Sequence, residues 1–432
     1  MRRFLLLTTL AAVVAAPGPA MAAGSKFVVH GRGFGHGVGM SQWGAYGYAN
    51  HGWTYDQILG HYYTGTSIGT ASGTQVRVLL QSGRGSVSFA GATMAGAKSL
   101  RRKRTYTARR AFDQILLRYG KHQMGSFAAP LRIVSSAGSV RLGGPALNGI
   151  SDGAYRGGLE LGPSGGGLMV VNVAGVDDYA RGVVPGEVSS SWPAEVLKAQ
   201  AVAARSYGLA THVSSAFDQY PDTRSQVYRG MGGETASTNA AVDATAGQVV
   251  RYGSRIAVTY FFSASGGHTE NVENVFYGSA PAPYLRGVPD PYDGSAPRHR
   301  WTLTFTKAQV QARLGSLVKG SFRGIQIVTR GASPRIVWAD VVGSGGRTRV
   351  RGTTLRARLG LFDSWAKFPA LAAGASHAPA AATSPAAAGG ATPGPAPARS
   401  AAPTAPAPSS GSSAPDEWQW PAATWRARTG RP

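Results

Sequence analysis

The chain of 432 residues contains no cysteine, which excludes disulfide bonds and thiol chemistry. Its stability must therefore come from a hydrophobic core, and more than three hundred residues are enough to bury one. Acidic residues are also scarce, since 20 Asp and Glu stand against 44 Lys and Arg, giving a formal net charge of +24. A chain this basic favours anionic partners.

Nucleic acid is one such partner, and the densest basic run is Leu100-Arg-Arg-Lys-Arg104. This run has no interleaved aromatic residues and no motif that reads a nucleic-acid groove. We interpret it as a solvated loop and expect no nucleic-acid partner. Anionic polymers of a bacterial cell wall remain the candidate partner for the charge.

No long apolar run follows the first residues, so we expect no membrane span in the mature chain. The start itself has two arginines, then an apolar stretch, then the small residues Ala20-Met-Ala22. This pattern is typical of a cleaved signal peptide over residues 1–22 and predicts a secreted protein.

Composition divides the remaining chain into three parts. Residues 23–369 are predicted to form one folded domain. Residues 370–415 consist mainly of Ala, Pro, Ser and Gly and are predicted to be a disordered linker. Residues 416–432 contain three tryptophans in a segment too short to fold alone, an interaction tag whose partner the sequence does not identify.

The sequence of this domain predicts a β-rich fold with one central helix. Short alternating segments with Gly/Ser turns predict strands within 76–80, 86–89, 131–134, 168–172, 325–328 and 336–342, and a hairpin over 248–262. A helix is predicted from about Trp192-Pro193 to about Thr211, because proline suits the first helical turn. Alanine on most of its faces lets neighbours approach closely, so this helix should be buried.

Two charged residues stand out in this region. Glu187 lies in an apolar Pro/Gly turn before the helix, and Arg205 lies on the helix, where burial requires an anion. In the simpler alternative, Glu187 only caps the helix start. Arg205 would then pair with a carboxylate among Asp177, Asp178 and Glu195.

Two longer sequence motifs resemble the signatures of one family. The stretch Gly182 to Tyr207, with Val184-Pro-Gly-Glu187 at its start, closely resembles the signature of the stage II sporulation protein D (SpoIID/LytB) family. A second signature of that family resembles His36-Gly-Val-Gly-Met-Ser-Gln42-Trp-Gly-Ala45 and the trailing Ile58-Leu-Gly-His-Tyr-Tyr63. In sporulation members the second motif stands at the C-terminal end of the domain, whereas in this chain it comes first.

The resemblance implies an α+β fold, a mixed β-rich domain around the buried Ala-rich helix, in circularly permuted order. Segment 23–70 would then lie beside the chain near Phe368, because permutation requires neighbouring termini. His36 would complete the same cleft as Glu187. Phe27 and Phe368 on opposite sides of the body would contradict this order.

The founding members of the family are peptidoglycan lytic transglycosylases, and relatives include enhancers of cell-wall amidases. The resemblance therefore implies cleavage between N-acetylmuramic acid and N-acetylglucosamine, leaving 1,6-anhydromuramic ends, with Glu187 as the catalytic acid. Such an acid needs a pKa raised by burial. The alternative is a wall-bound modulator that stimulates an N-acetylmuramoyl-L-alanine amidase without cleaving glycan.

Family position and polarity make seven residues candidates for substrate binding: His36, Gln42, Arg205, Tyr228, Ser263, Ser265 and His268. A charge on Arg205 near Glu187 would lower the raised pKa, so we expect it to bind substrate or stay off the carboxylate. Other interpretations stay open, since both histidines could be satisfied by backbone and Tyr228 could pack in the core. The serines could be nucleophiles, although no Gly-x-Ser-x-Gly elbow surrounds them.

Some family members hold zinc through a His/Cys cluster upstream of a Gln-x-Tyr motif, which in this chain is Gln226-Val-Tyr228. Here residues 218–225 contain no cysteine, and His212 is the one candidate remnant of such a cluster. We therefore expect neither a metal site nor another cofactor.

Overall fold

The computed structural model describes residues 26–371. The predicted signal peptide, the Trp-rich end and nearly all of the predicted linker lie outside this range. Within it, no helix combines the length and apolar character needed to cross a membrane.

Eight α-helices occur between residues 26 and 371. They are α1 Gln42–Asn50, α2 Tyr55–Tyr62, α3 Val176–Glu187, α4 Ala194–Ala210, α5 Ala236–Ala244, α6 Val272–Val275, α7 Lys307–Leu314 and α8 Gly352–Leu359.

Strands outnumber helices. They are β1 Lys26–Arg32, β2 Met40–Ser41, β3 Ser67–Thr70, β4 Gln75–Arg84, β5 Val87–Ala90, β6 Met94–Ala95, β7 Lys98–Ser99, β8 Thr105–Ala111, β9 Gln114–Tyr119, β10 His122–Ala128, β11 Leu131–Val134, β12 Ser139–Leu142, β13 Ala154–Arg156, β14 Gly158–Ser164, β15 Gly167–Gly175, β16 Gln248–Tyr252, β17 Arg255–Ile256, β18 Phe261–Phe262, β19 Arg300–Thr306, β20 Phe322–Arg330, β21 Ile336–Gly343, β22 Gly346–Arg351 and β23 Ala366–Lys367. The predicted α+β, β-rich fold is confirmed.

Two six-stranded sheets form the largest unit, in the orders β10-β9-β8-β5-β12-β13 and β4-β15-β14-β11-β6-β7. Side chains alternate along the strands, and the inward positions of both sheets meet in one apolar core. Phe89, Tyr106 and Leu117 enter this core from the first sheet, and Val78 and Leu159 from the second. The sheets therefore pack face to face over the period-2 pattern of their sequences.

Helix α4 is the central buried helix, and its bounds agree with the prediction within about two residues at each end. One side packs with α1 and α2 through Ala199, Val202 and Ala203. The other side packs with α3 and α5 through Leu197 and Ala201. Small side chains on both sides allow four helices to approach α4 at once.

The two ends of the described chain meet in a third unit, where β1 lies between β19 and β23. The Phe27 and Phe368 rings stack with centroids 6.1 Å apart. Gly31 makes room in β1 for the Trp301 ring, which any larger residue would meet. These ends are as close as the permuted order requires; the permutation relative to other family members stays a prediction.

Candidate active site

Glu187 lies at the C-terminal end of a helix rather than in a turn. Helix α3 begins at Val176 directly after β15, continues through Pro185 and ends at Glu187. The predicted turn was wrong because a proline in the last helical turn removes one backbone hydrogen bond without preventing two further helical residues. The helix therefore fixes the backbone from which the Glu187 side chain projects.

The Glu187 carboxyl is surrounded by protein, although part of the residue remains accessible. The Val227 N–H donates to its Oε1 at 2.7 Å. Burial raises the pKa of Glu187 from 4.5 to about 7, while the Val227 N–H, the Gln42 side chain and the positive charge of Arg229 lower it. Desolvation exceeds the sum of these three, so the carboxyl holds its proton close to neutral pH.

Two tyrosines stand close to this carboxyl. Burial, the neighbouring Tyr260 and the charge of Glu187 raise the pKa of Tyr207 to about 12. Burial, Tyr207 and Glu187 together raise the pKa of Tyr179 well above its usual value. Both hydroxyls therefore stay neutral and border the carboxyl with aromatic surface. Tyr207 is the last residue of the motif from Gly182 to Tyr207, but nothing in the sequence indicated that it lies close to Glu187.

Gln42 is the substrate-binding candidate that the structure brings directly to Glu187. It opens α1, whose start is capped by Ser41, since Ser41 Oγ accepts from the Gly44 N–H at 3.1 Å. The Gln42 side chain hydrogen-bonds the Glu187 carboxyl, and its Nε2 donates to Gln200 Oε1 at 3.4 Å. The opening segment therefore reaches the site.

Half-exposed aromatic rings follow Gln42 along α1. Trp43 packs against Trp192 with centroids 4.9 Å apart, and Tyr46 packs against the same ring at 5.0 Å. The Trp43 N–H donates to the Ser263 carbonyl at 2.9 Å. Ser263, itself half-buried, thus lies beside the residue that follows Gln42. The aromatic cluster was not anticipated from the sequence.

His36 lies among aromatic rings. Its ring packs against Tyr260, Phe262 and Phe276 at centroid distances of 6.0, 5.4 and 5.4 Å. The Val38 N–H donates to its Nδ1 at 3.1 Å. Burial and the charges of Arg356 and Arg335 lower the pKa of His36 from 6.5 to about 3, opposed by a hydrogen bond to the Phe261 backbone.

His36 is therefore a neutral ring whose two nitrogens are both used by backbone groups. It lies behind the Tyr260 ring, which in turn packs against Tyr207 at 5.9 Å. His36 keeps partial exposure, so the expectation that it binds sugar stays a prediction. The Val38 contact also fits the alternative, a turn histidine satisfied by backbone.

Ser265 and His268 also serve the fold. Ser265 is fully buried, accepts from the Gly267 N–H at 3.0 Å and hydrogen-bonds Asp290. His268 Nδ1 donates to the Thr269 carbonyl at 2.7 Å. The Ser265 prediction is corrected, since a side chain without exposed surface reaches no substrate. His268 keeps partial exposure, but nothing joins it to Glu187.

Arg205 is held inside the protein with 0% of its side chain exposed. Its Nε donates to Asp177 Oδ1 at 2.6 Å, and its Nη atoms donate to Thr245 Oγ1 at 3.1 Å and the Val242 carbonyl at 2.7 Å. Asp177 is one of the three carboxylates anticipated from the sequence. The substrate-binding prediction is corrected, because these bonds join α4 to α3 and α5 instead.

Tyr228 is likewise a core residue, 1% exposed, whose hydroxyl donates to Asn172 Oδ1 at 2.6 Å. The cation whose charge reaches Glu187 is its neighbour Arg229, which is exposed and lies just beyond the Val227 N–H. An arginine therefore does lie near the acid, but it is Arg229 and not Arg205.

His212, the candidate remnant of a metal cluster, pairs with Asp218 at 2.8 Å. Between residues 26 and 371, no three side chains of His, Cys, Asp or Glu are grouped so as to hold a metal ion.

Comparison with known proteins places this site in a family context. The model of the stage II sporulation protein (SpoIID) family matches residues 164–252. An uncharacterized protein of Brachyspira hyodysenteriae is 42% identical over 146 residues, which cover 33% of this chain and 38% of that protein.

Two relatives from Bacillus subtilis have names. Stage II sporulation protein D is 32% identical over 204 residues, covering 43% of this chain and 58% of that protein. The amidase enhancer is 38% identical over 142 residues, covering 33% of this chain and 19% of that protein. The chain thus spans between a fifth and three fifths of the length of these relatives. The matched range contains Glu187 and its partner Val227, so this part of the chain is similar to the SpoIID family of stage II sporulation proteins.

Proposed function

We propose that the protein is a lytic transglycosylase of peptidoglycan in which Glu187 is the catalytic acid and base. The observation that carries this proposal is a carboxyl whose pKa is raised to about 7 by burial. At neutral pH such a group exists in both forms, so it can donate a proton in one step and accept one in the next.

In the first step, protonated Glu187 gives its proton to the glycosidic oxygen that links muramic acid C1 to N-acetylglucosamine. The C1–O bond breaks, and N-acetylglucosamine leaves with a free 4-hydroxyl. The C6 oxygen of the same muramic acid then bonds to C1, and the Glu187 carboxylate takes the C6 hydroxyl proton. One bond breaks and one forms, water is not consumed, and Glu187 regains its starting form.

This chemistry needs one carboxyl, whereas glycoside hydrolases use two to activate water or form a covalent intermediate. The groups that act on the Glu187 charge are Val227, Gln42 and Arg229, and no second carboxylate is among them. The surroundings of Glu187 in the described chain therefore favour an intramolecular attack. Tyr179 and Tyr207 support this by keeping the carboxyl in an aromatic setting.

Substrate contacts are proposed from the residues around this carboxyl. The half-exposed rings of Trp43, Tyr46 and Trp192 offer apolar faces for sugar rings. The exposed Arg229 guanidinium suits the lactyl or peptide carboxylates of muramic acid. Gln42, which contacts Glu187, and Ser263, whose carbonyl accepts from the Trp43 N–H, complete the proposed set. The protein would act outside the cell, associated with the wall.

A second function is favoured by one comparison, because the amidase enhancer is 38% identical over 142 residues. In this alternative the same surface binds glycan and stimulates a cell-wall amidase, and Glu187 has no chemical role.

The deciding experiment incubates purified protein with glycan strands, with and without stem peptides, and measures 1,6-anhydromuramic ends by mass spectrometry. We expect these ends to form, and Glu187→Gln to lower the rate by about 10²–10⁴-fold. Glu273→Gln is the matched control, since Glu273 pairs with Arg286 at 2.7 Å and is not among the groups acting on Glu187. An unchanged rate in Glu187→Gln would refute the mechanism.

Adding an amidase separates the two functions. If wild type and Glu187→Gln stimulate peptide release equally while neither yields anhydro ends, the enhancer function is correct. If anhydro ends form and depend on Glu187, the transglycosylase is correct.

A further inference from the structure

One sheet of the β-sandwich carries arginines on its solvent side. In β8 the core takes Tyr106 and Ala108, so Arg109 points outward and is exposed. In β9 the core takes Ile115 and Leu117, which turns Arg118 outward. In β12 the core takes Val140 and Leu142, which turns Arg141 outward. We call Arg109, Arg118 and Arg141 the arginine face.

The strand register makes this face continuous. Arg118 pairs with Thr107, two residues before Arg109, so the two arginines are diagonal neighbours across β8 and β9. Such neighbours lie about 7–8 Å apart. On the other side of β8, Thr105 pairs with Ala90 of β5, and Ala90 pairs with Arg141. Leu116 lies opposite Arg109, and small residues, Thr105 and Ala90 among them, separate these two arginines from Arg141.

No carboxylate neutralises these three side chains. Arg118 Nη2 donates to the Lys121 carbonyl and Arg141 Nη1 to the Asp152 carbonyl, each at 2.8 Å. Arg118 Nε is buried without a partner. Arg156, by contrast, pairs with Glu234 at 2.7 Å. The arginine face therefore keeps its full charge.

The loop before β8 extends the charge. Arg101, Arg102 and Lys103 are exposed, and the Arg102 carbonyl accepts from the Gly91 N–H at 3.1 Å, which holds the loop at the end of β5. From Lys98 to Arg141 the sequence has eleven Lys and Arg and a single acid, Asp113. So much positive charge in one segment of the chain destabilises the compact state by self-repulsion, and it favours an anionic partner.

We infer that the arginine face binds a linear polymer of phosphodiester-linked polyol units. Guanidinium groups bind phosphate through two parallel hydrogen bonds, and a flexible chain with one charge per repeat can follow arginines on one sheet. Nucleic acid fits less well, because Thr107, Ala90 and Ser88 between the arginines offer no ring on which a base stacks. The surface is separate from Glu187, so it would hold the protein on its matrix independently of catalysis.

The test measures binding of a fluorescent oligomer of glycerol phosphate to the full chain across a salt series. The triple variant Arg109→Gln, Arg118→Gln, Arg141→Gln should bind about tenfold more weakly at 0.1 M salt. The slope of log affinity against log salt should fall by about 2, because fewer counterions are released. Arg109→Gln alone, which breaks no hydrogen bond, should lower the slope by about a third of that amount.

The matched control is Arg300→Gln, Lys307→Gln, Arg323→Gln, which removes three exposed charges from another unit. We expect binding within about twofold of wild type, and circular dichroism and thermal unfolding unchanged for both triple variants. Equal weakening in both variants would overturn the inference, since only net charge would matter. Absence of binding by wild type would overturn it too. So would tighter binding of oligo-dT with the same number of phosphates through the same arginines, which would assign the face to nucleic acid.

Discussion

Replacing Glu187 with glutamine should stabilise the folded protein at neutral pH and leave its stability at acid pH unchanged. Burial raises the pKa of this carboxyl from 4.5 to about 7. Between these values the folded state keeps a proton that the unfolded chain has lost. The folded wild type therefore loses stability as the pH rises through this window, and the loss is complete above about pH 7.

The magnitude follows from the shift. One pKa unit corresponds to 1.36 kcal/mol, so a change from 4.5 to about 7 gives at most about 3.4 kcal/mol. Glu187 retains partial exposure, and solvent screening reduces this figure, so we expect about 1–3 kcal/mol. Glutamine has no charge to desolvate and can still accept from the Val227 N–H. The advantage of Glu187→Gln in free energy of unfolding should thus be near zero at pH 4 and reach its maximum above pH 7.

Urea denaturation followed by circular dichroism at pH 4 to 8 measures this difference directly. Glu273→Gln serves as the control, because Glu273 is ion-paired with Arg286 and should gain no advantage from losing its charge at neutral pH. A pH-independent difference for Glu187→Gln would refute the reasoning. So would wild type becoming relatively more stable as pH rises, since that requires a carboxyl that prefers to be ionised.

Three further substitutions test the surroundings of the acid. Gln42→Leu removes a hydrogen bond that lowers the pKa of Glu187, so the alkaline limb of the kcat/KM profile should move to higher pH. Arg229→Met removes a nearby positive charge and should move that limb in the same direction while lowering kcat/KM about tenfold on peptide-bearing glycan. Arg205→Met removes three hydrogen bonds from the buried guanidinium and should destabilise the fold by about 1–3 kcal/mol by urea denaturation, with kcat/KM per folded molecule unchanged.

The two variants that should shift the pH profile each have a matched control. Arg224→Met changes another exposed arginine, whose partner is Asp222 at 2.7 Å, and should leave the pH profile where it is. Gln248→Leu removes a glutamine that accepts from Tyr55 at 2.9 Å, remote from the acid, and should not move it either. A fixed alkaline limb in Gln42→Leu would contradict the role given to Gln42. Full stability of Arg205→Met would contradict the structural role of Arg205.

Local signals in the sequence located α4 and six of the strands, but most of the other elements were not predicted. Proline at position 193 and the alanine pattern located α4, and alternation with Gly/Ser turns located these strands. The prediction that Arg205 needs an anion was also sound, because burying a guanidinium leaves few alternatives. Helix α3 was not predicted, and its end was interpreted as a turn, since a late proline looks the same in a turn and in a last helical turn.

Site roles were harder to predict because they depend on distant segments. His36 looked polar and available, yet its ring packs against Phe262 and Phe276, and burial together with the charge of Arg356 lowers its pKa. Arg229 carries no local signal that distinguishes it from other exposed arginines. Its significance comes from the Val227 N–H that brings this loop to Glu187. Gln42 was selected by resemblance, and its hydrogen bond to the acid explains why a glutamine suits that position.

The three-stranded sheet around β1 has a consequence for how the molecule is assembled. Thr302, which hydrogen-bonds His30 across this sheet, is 272 residues further along the chain, and β23 comes later still. A growing polypeptide therefore carries its first strand without partners until almost the whole domain has emerged. Contacts this remote in sequence form slowly. A chain truncated before residue 366 still contains Gln42 and Glu187, but its β1 strand lacks the pairing with β23. Limited proteolysis of such a truncation should cleave the opening segment first.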